Sequence, residues 1–311
     1  MENNTYSLIM AGGVGSRFWP MSTQHNPKQF LDVLGIGKSL LRLTFERLLG
    51  VSDSSKIYIL TNERYRDLVL SQLPELTSEQ VICEPERKNT APCIAFAAAK
   101  ILGINPNATL VISPSDHLII NTNRFVSLIN TAVTEANQGQ LVTLGIQPSR
   151  PDTGYGYIEV EPGQHAAGSV KKVHRFCEKP SLDVAKSFVE EGNYFWNSGI
   201  FIWRADVILD AMKLYSNALY HIFCESLGSY NTPMEEEFMR NAFSAAEDIS
   251  IDFAVMEHAT NVSVVLSDFD WSDLGTWGSL IDHMQKDSNG NAVVGNNVHL
   301  FETNNCLIHL P

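Results

Sequence analysis

The feature that most constrains this chain is its first apolar run and the loop that leaves it, Leu8 to Phe30, which reads LIMAGGVGSRFWPMSTQHNPKQF. Tyr6–Met10 has the length of a short buried strand, and Ala11-Gly12-Gly13-Val14-Gly15 carries the backbone off its C-terminal end. Three glycines in four positions permit positive φ and let several N–H groups converge on one point, a concavity that suits an anion. Arg17 and Lys28 add two cations. The combination predicts a seat for a polyphosphate, with peptide dipoles fixing its path and the side chains neutralising its charge.

Two common phosphate loops do not fit. A dinucleotide fingerprint begun at Gly13 and Gly15 would need its third glycine at Phe18. A Walker A loop ending in Gly37-Lys38-Ser39 would need its first glycine at Asp32, and no strand-like run precedes it.

The net charge of -13 over 311 residues argues against nucleic acid as a partner, since that binding requires a basic face. An acidic protein that holds a polyphosphate needs local cations and a divalent metal, so carboxylates for the metal are to be sought. Five cysteines, odd in number and without a C-x-x-C pair, suggest neither a disulfide framework nor a zinc site. No apolar stretch is long enough to span a bilayer, and MENNTYSLIM carries an acid where a signal peptide has positive charge. The expectation is a cytoplasmic protein without a membrane partner.

Strand-like runs at Ser7–Met10, Ile57–Thr61, Gln80–Glu84, Thr109–Ser113 and Gln140–Gly145 alternate with helical patterns near Leu40–Leu49, Glu63–Leu73, Ala91–Leu102 and Arg124–Asn137. Such alternation predicts an α/β fold, a mostly parallel sheet covered by helices, with ligands beyond the C-terminal strand ends. From about Gly154 the pattern turns β-rich (Tyr155–Val160, Val170–Phe176, Gly199–Trp203), interrupted by one helical stretch near Asp183–Glu191.

Three groups of candidates fall at those ends. Glu84 opens EPERKNTAP, where a carboxylate can accept from the N1–H and exocyclic amine of guanine; Asn89 sits at the same strand–helix mouth. Thr90 is placed to N-cap a helix starting at Ala91, with Pro92 in its first turn. Asp116 in SPSDH follows a strand through a proline turn and can present an oxygen to Mg²⁺, with Asp273 of WSDLGTW as the distant second carboxylate; His117 reads as structural because magnesium prefers oxygen. Gly156 of TGYGYI, Glu178 and Lys179 of FCEKP, and Asn197 of WNSGIF form the mixture a sugar phosphate needs: close backbone approach, hydroxyl partners and a cation. Tyr155, Tyr157, Trp196 and Phe201 read as core or wall rather than stacking platforms.

As a set, AGGVGSRFWP, PKQF, EPERKNTAP, SPSDH, TGYGYI, FCEKP, WNSGIF, SIDFAVME (Ser250–Glu257) and WSDLGTW resemble the sugar-nucleotide pyrophosphorylases, most closely the members that form GDP-mannose. The resemblance spans Leu8 to about Trp277. It implies a Rossmann-like, GT-A-like mixed sheet and transfer of GMP from GTP to mannose 1-phosphate, giving GDP-mannose and pyrophosphate. It also implies that Ala11, Gly12, Gly13, Gly15, Arg17, Lys28, Glu84, Asn89 and Ala91 serve the nucleotide, Asp116 and Asp273 a Mg²⁺ or other divalent ion, and Gly156, Glu178, Lys179 and Asn197 the sugar phosphate.

The implied organisation is a nucleotidyltransferase domain over 1–285, with a nucleotide half (1–150) and a sugar half (151–285). Residues 286–311 would begin a β-structured extension. Its apolar runs (Ala292–Val294, Val298–Phe301, Cys306–Leu310) are few and leave open edges, to be covered by further chain or by a second subunit in a homodimer. The same chemistry on another sugar or base, and a catalytically silent regulatory relative, stay open as alternatives.

Overall fold

Strand β1 (Thr5–Met10) is buried over all but its last residue, in a computed structural model that describes residues 4–13, 18–225 and 227–310. Parallel partners flank it: β2 (Ile57–Asn62), with β3 (Val81–Glu84) beyond, on one side, and β4 (Thr109–Pro114) on the other. The chain continues through β5 (Leu118–Ile119), β6 (Leu141–Ile146), β7 (Tyr157–Glu159), β8 (Val170–Lys172), β9 (Arg175–Cys177), β10 (Tyr194–Arg204), β11 (Val262–Ser267) and β12 (Trp271–Ser272). The ten-stranded sheet runs β3-β2-β1-β4-β10-β6-β11-β8, with β7 paired to β10 and β9 to β7. β10 is antiparallel to both neighbours, so the sheet is mixed but mostly parallel, as expected. Because β10 lies between β4 and β6, the C-terminal half contributes to the same sheet as the N-terminal half.

Side chains alternate across the strands and give each face its own core. Leu8 and Leu60 join the cluster under α3 (Thr90–Ile104), whose Phe96 meets Phe223 and Phe243 from later helices. Ile9 and Ile59 join the opposite cluster, closed by α1 (Leu40–Leu48), α2 (Arg66–Gln72) and α4 (Thr122–Ala136). No helix among the described residues is long and apolar enough to cross a membrane.

The expectation of one helix in the second half is corrected: beyond α5 (Leu182–Glu191) stand α6 (Ala205–Tyr215), α7 (Asn217–Cys224), α8 (Glu235–Ala245) and α9 (Trp277–Asp282). Their signal is in the sequence, since Ile208, Leu209 and Met212 recur at helical spacing and are all buried. The N-cap of α3 also differs. Asn89, at φ 65, accepts from the Thr90 amide, whereas the Thr90 hydroxyl accepts from the amide of Ile251. Tertiary pairing claims the threonine and leaves the cap to the residue before it. At the C-terminus β13 (Ala292–Val294) and β14 (Leu307–His309) pair in parallel, but Val298–Phe301 forms no strand, and Phe301 is exposed.

The sheet also explains where a ligand can sit. β1 leads to β2 on one side while β4 lies on the other, so the loops after Met10 and Pro114 diverge, opening a crevice at the strands' C-terminal ends. Met10 pairs with Pro114 at that point, and the Ser115 amide donates to Met10 O over 3.0 Å.

Candidate active site

Two cavities open at this switch point and share Met10 and Thr90. The first, about 430 Å³, is lined by Gly12, Gly13, Glu84, Asn89, Arg87 and Asp248 among others. Its floor is the loop after β1, held by a side chain that the sequence did not single out: buried Gln29 donates Nε2 to Ala11 O (2.9 Å) and Gly13 O (2.8 Å). Those two bonds hold the backbone over Ala11–Gly13. Gly15 and Arg17 lie outside the described residues.

Glu84 is buried at the end of β3, and a Cβ on Gly12 would stand 4.0 Å from its Oε2. Burial pushes its carboxyl up to about 7; a hydrogen bond with Cys93 and the charge of Arg87 only partly oppose this. Ala11 and Ala91 stand beside the cavity's lining residues Gly12 and Thr90. Both are fully buried, and their amides are spent on Leu60 O (2.7 Å) and Ile249 O (3.1 Å).

Lys28 is 4 % exposed and ties the Asp116 carboxylate to the backbone at Asp273. Its Nζ lies 2.8 Å from Asp116 Oδ2 and donates to Asp273 O (2.8 Å) and Leu274 O (3.1 Å). Burial disfavours charge on Asp116, but the Lys28 ammonium, His117 and hydrogen bonds from Lys28 and the backbone together outweigh it and hold the carboxyl below its ordinary range. Asp273 Oδ1 accepts from Tyr155 OH (2.7 Å) and Gly275 N (3.0 Å). Tyr155 is therefore more than a wall, although it also packs edge-on against Trp196 and Trp271. The Trp271 indole donates to Nδ1 of His117, whose pKa burial lowers, which places the proton of the neutral ring on Nε2.

The second cavity, about 240 Å³, gathers Gly156, Glu178, Lys179, Asn197 and Asp273. Gly156 sits close to its neighbours: a Cβ would overlap Glu178 Oε2, the end of a flexible side chain, and press on Phe176 (3.3 Å) and Asn197 (3.4 Å). Glu178 Oε1 pairs with Lys179 Nζ at 3.0 Å, and the lysine side chain stays largely exposed. The register of β10 shifts between Asn197 and Phe201, with Gly199 at φ +70, so a bulge turns this strand at the site. Asn197 is heavily committed: Oδ1 accepts from Thr143 Oγ1 (2.8 Å) and Gly199 N (3.2 Å), and Nδ2 donates to Asp252 Oδ1 (3.0 Å). Asp252 lines this cavity too, and its only sequence signal was an acid inside the apolar run SIDFAVME.

The nucleotidyl transferase family matches residues 6–290. The mannose-1-phosphate guanylyltransferase of Salmonella montevideo is 39% identical over 97% of this chain and 64% of its own length. The chain thus spans a little under two thirds of that relative. A crystal structure from Thermus thermophilus, described as mannose-1-phosphate geranyltransferase, superposes with a TM-score of 0.87 at 30% identity, over 99% of this chain and 87% of that one. Another, of mannose-6-phosphate isomerase from Helicobacter pylori, gives 0.70 at 31% identity, over 86% and 99%.

Proposed function

The chain belongs to the nucleotidyl transferase family, and from that premise we propose that it transfers GMP from GTP to α-D-mannose 1-phosphate, forming GDP-mannose and pyrophosphate. The observation that carries the reading is the pair of cavities that meet at Met10 and Thr90, one lined by the glycine loop and Glu84, the other by Gly156, Glu178, Lys179 and Asn197. A nucleotide in the first and a sugar phosphate in the second would meet where Asp273 lines the cleft. Isomerising a single sugar phosphate needs no nucleotide cavity, which favours transfer over the activity for which the Helicobacter pylori neighbour is described.

The nucleophile is already an anion, so the site needs no strong general base; its task is alignment and charge neutralisation around in-line attack at the α-phosphorus. Amides of Gly12, Gly13 and Gly15 would follow the triphosphate, with Arg17 beside them. Ionised Glu84 would accept from guanine N1–H and its amine, and Asn89 would line the base. Lys28 would hold Asp116 and Asp273 in register, and Lys179 would exchange Glu178 for the sugar's phosphate. Two carboxylates fit a hard divalent ion that draws its remaining ligands from water and substrate phosphate, and Asp273 Oδ2 is available once Oδ1 is held by Tyr155 and Gly275. Bound Mg²⁺ supplies charge neutralisation on the α-phosphate and the pyrophosphate leaving group.

Within this reading, residues 1–150 and 151–285 supply the nucleotide and sugar halves of one domain, and 286–311 begins a β-rich extension. A cytoplasmic homodimer is the proposed working form, and light scattering tests the dimer. Pyrophosphate release measured over four nucleoside triphosphates and a panel of sugar 1-phosphates tests the activity. GTP with mannose 1-phosphate should give the highest kcat/KM. Preference for another pair would redirect the reading, and no release with any pair would leave a silent, sugar-nucleotide-binding relative.

A further inference from the structure

The stretch 248–257 touches both cavities and was assigned no role by motif. Asp248 lines the first cavity; Asp252 lines the second. Between them the backbone is stitched to the start of α3, with Ala91 N donating to Ile249 O and Ile251 N to Thr90 Oγ1 (2.8 Å). It then enters a single π-helical turn, Asp252–Met256, a geometry that recurs at functional sites. From that turn Asp252 Oδ1 accepts from Asn197 Nδ2, and Glu257 Oε1 accepts from the amide of Glu178 over 3.0 Å. One short turn therefore fixes two of the residues expected to handle the sugar, and adds a carboxylate of its own.

That carboxylate faces an awkward neighbour. Asp252 and Glu178 both line the small cleft, and Lys179, already 3.0 Å from Glu178, is the one cation among the described lining residues. With Asp273, three acids against one base make a poor seat for a phosphate, but a good one for hydroxyls, which donate hydrogen bonds to carboxylates. Asp252 and Glu178 thus offer acceptors to ring hydroxyls, while Asn197, whose oxygen already accepts from Thr143 and Gly199, holds Asp252 through its amide. In the proposed transfer the ring hydroxyls of the sugar 1-phosphate would face Asp252 and Glu178, and Lys179 would meet its phosphate.

We propose that Asp252 is a specificity-determining residue that accepts a hydrogen bond from a ring hydroxyl of the sugar and so discriminates between hexose 1-phosphate epimers. The assignment deepens the proposed transfer to a sugar 1-phosphate and rests on it. Burial first, and the charge of Glu178 second, push the Asp252 carboxyl up to about 7, with Lys179 and Ser250 opposing. A hydroxyl donor therefore binds better as the pH rises through neutrality, when the acceptor gains its charge.

The test is Asp252→Asn, which keeps an oxygen to accept from Asn197 and so preserves that contact while removing the charge. At pH 8 the expected result is a KM for mannose 1-phosphate about tenfold or more higher, a KM for GTP within about twofold of wild type, and a preference for mannose over glucose 1-phosphate about tenfold lower. In the wild type, kcat/KM for the sugar should rise between pH 6 and 8, and the variant should lose that rise. Calorimetric binding of GDP-mannose and GTP to the same variant separates loss of the sugar contact from general damage: GDP-mannose should weaken and GTP should not. A variant that matches wild type on every sugar, or that loses all sugars and GTP alike, overturns the assignment of Asp252. Wild-type protein that turns over no sugar 1-phosphate overturns the transfer reading and this inference with it.

Discussion

Lys28 and Asp116 face each other across 2.8 Å, and the lysine also donates to the carbonyls of Asp273 and Leu274. One ammonium thus bridges two acidic loops that are far apart in sequence, at the ends of β4 and after β12. Its removal leaves these loops without their shared cation. Lys28→Met should cost about 1.5–3 kcal/mol of stability, the usual value of a charged hydrogen bond. Turnover should fall by about a hundredfold or more, the scale of a lost electrostatic stabiliser. Urea denaturation and kcat measured on one preparation check both; a variant as stable and active as wild type removes Lys28 from the site.

Tyr155 holds one oxygen of Asp273, as outer-shell donors commonly do for carboxylates that bind metals. Tyr155→Phe keeps the ring packing against Trp196 and Trp271. The Mg²⁺ concentration for half-maximal activity should therefore rise about tenfold while the KM for mannose 1-phosphate changes little. An unchanged Mg²⁺ dependence would make the hydroxyl dispensable.

Much of the fold was legible because it is written locally. The glycine loop, Glu84 and Asp116 each follow a short buried run directly, so placing the strand placed the residue. What was illegible depends on contacts over long sequence separation. Nothing near Lys28 announces its pairing with Asp116, and nothing near Tyr155 announces Asp273, because each pair forms only when the sheet brings distant loops together. Thr90 misled for the same reason, since its hydroxyl serves Ile251 rather than its own helix. The helices over residues 205–245 are different: their buried residues at helical spacing are in the sequence, but they follow a stretch of short strands that sets the pattern of this half.

Glu84 makes the pH dependence specific. Its folded pKa of about 7 lies above the ordinary 4.5, so the carboxyl favours the fold most below 4.5, and that contribution is lost as the pH climbs through 7. Glu84→Gln should therefore gain stability relative to wild type between pH 5 and 8, seen as a difference in Tm that grows with pH. GTP binding should move the other way. Guanine needs the ionised acceptor, so at pH 8 the variant's KM for GTP should be about five- to a hundredfold higher, matching the 1–3 kcal/mol of an unpaired donor. A pH-independent Tm difference would mean that Glu84 ionises normally.

Gly156→Ala tests the sugar cavity with one methyl group. The atom it would overlap, Glu178 Oε2, is the end of a flexible side chain, so the protein can relieve the clash cheaply by moving Glu178. Tm should thus stay close to wild type. The displaced carboxylate should raise the KM for mannose 1-phosphate by about tenfold or more, the scale of one lost hydrogen bond to a charged group, and leave GTP binding unaffected. Equal loss of both substrates would contradict the division into two cavities.

The most direct measurement follows the phosphorus. The protein is incubated with Mg²⁺ and mannose 1-phosphate, with GTP labelled at the α-phosphate in one reaction and at the γ-phosphate in another. Attack at the α-phosphorus sends the first label into GDP-mannose and the second into pyrophosphate, in equal amounts. Label recovered as inorganic phosphate, or left in GTP while mannose 1-phosphate is consumed, would contradict transfer of GMP.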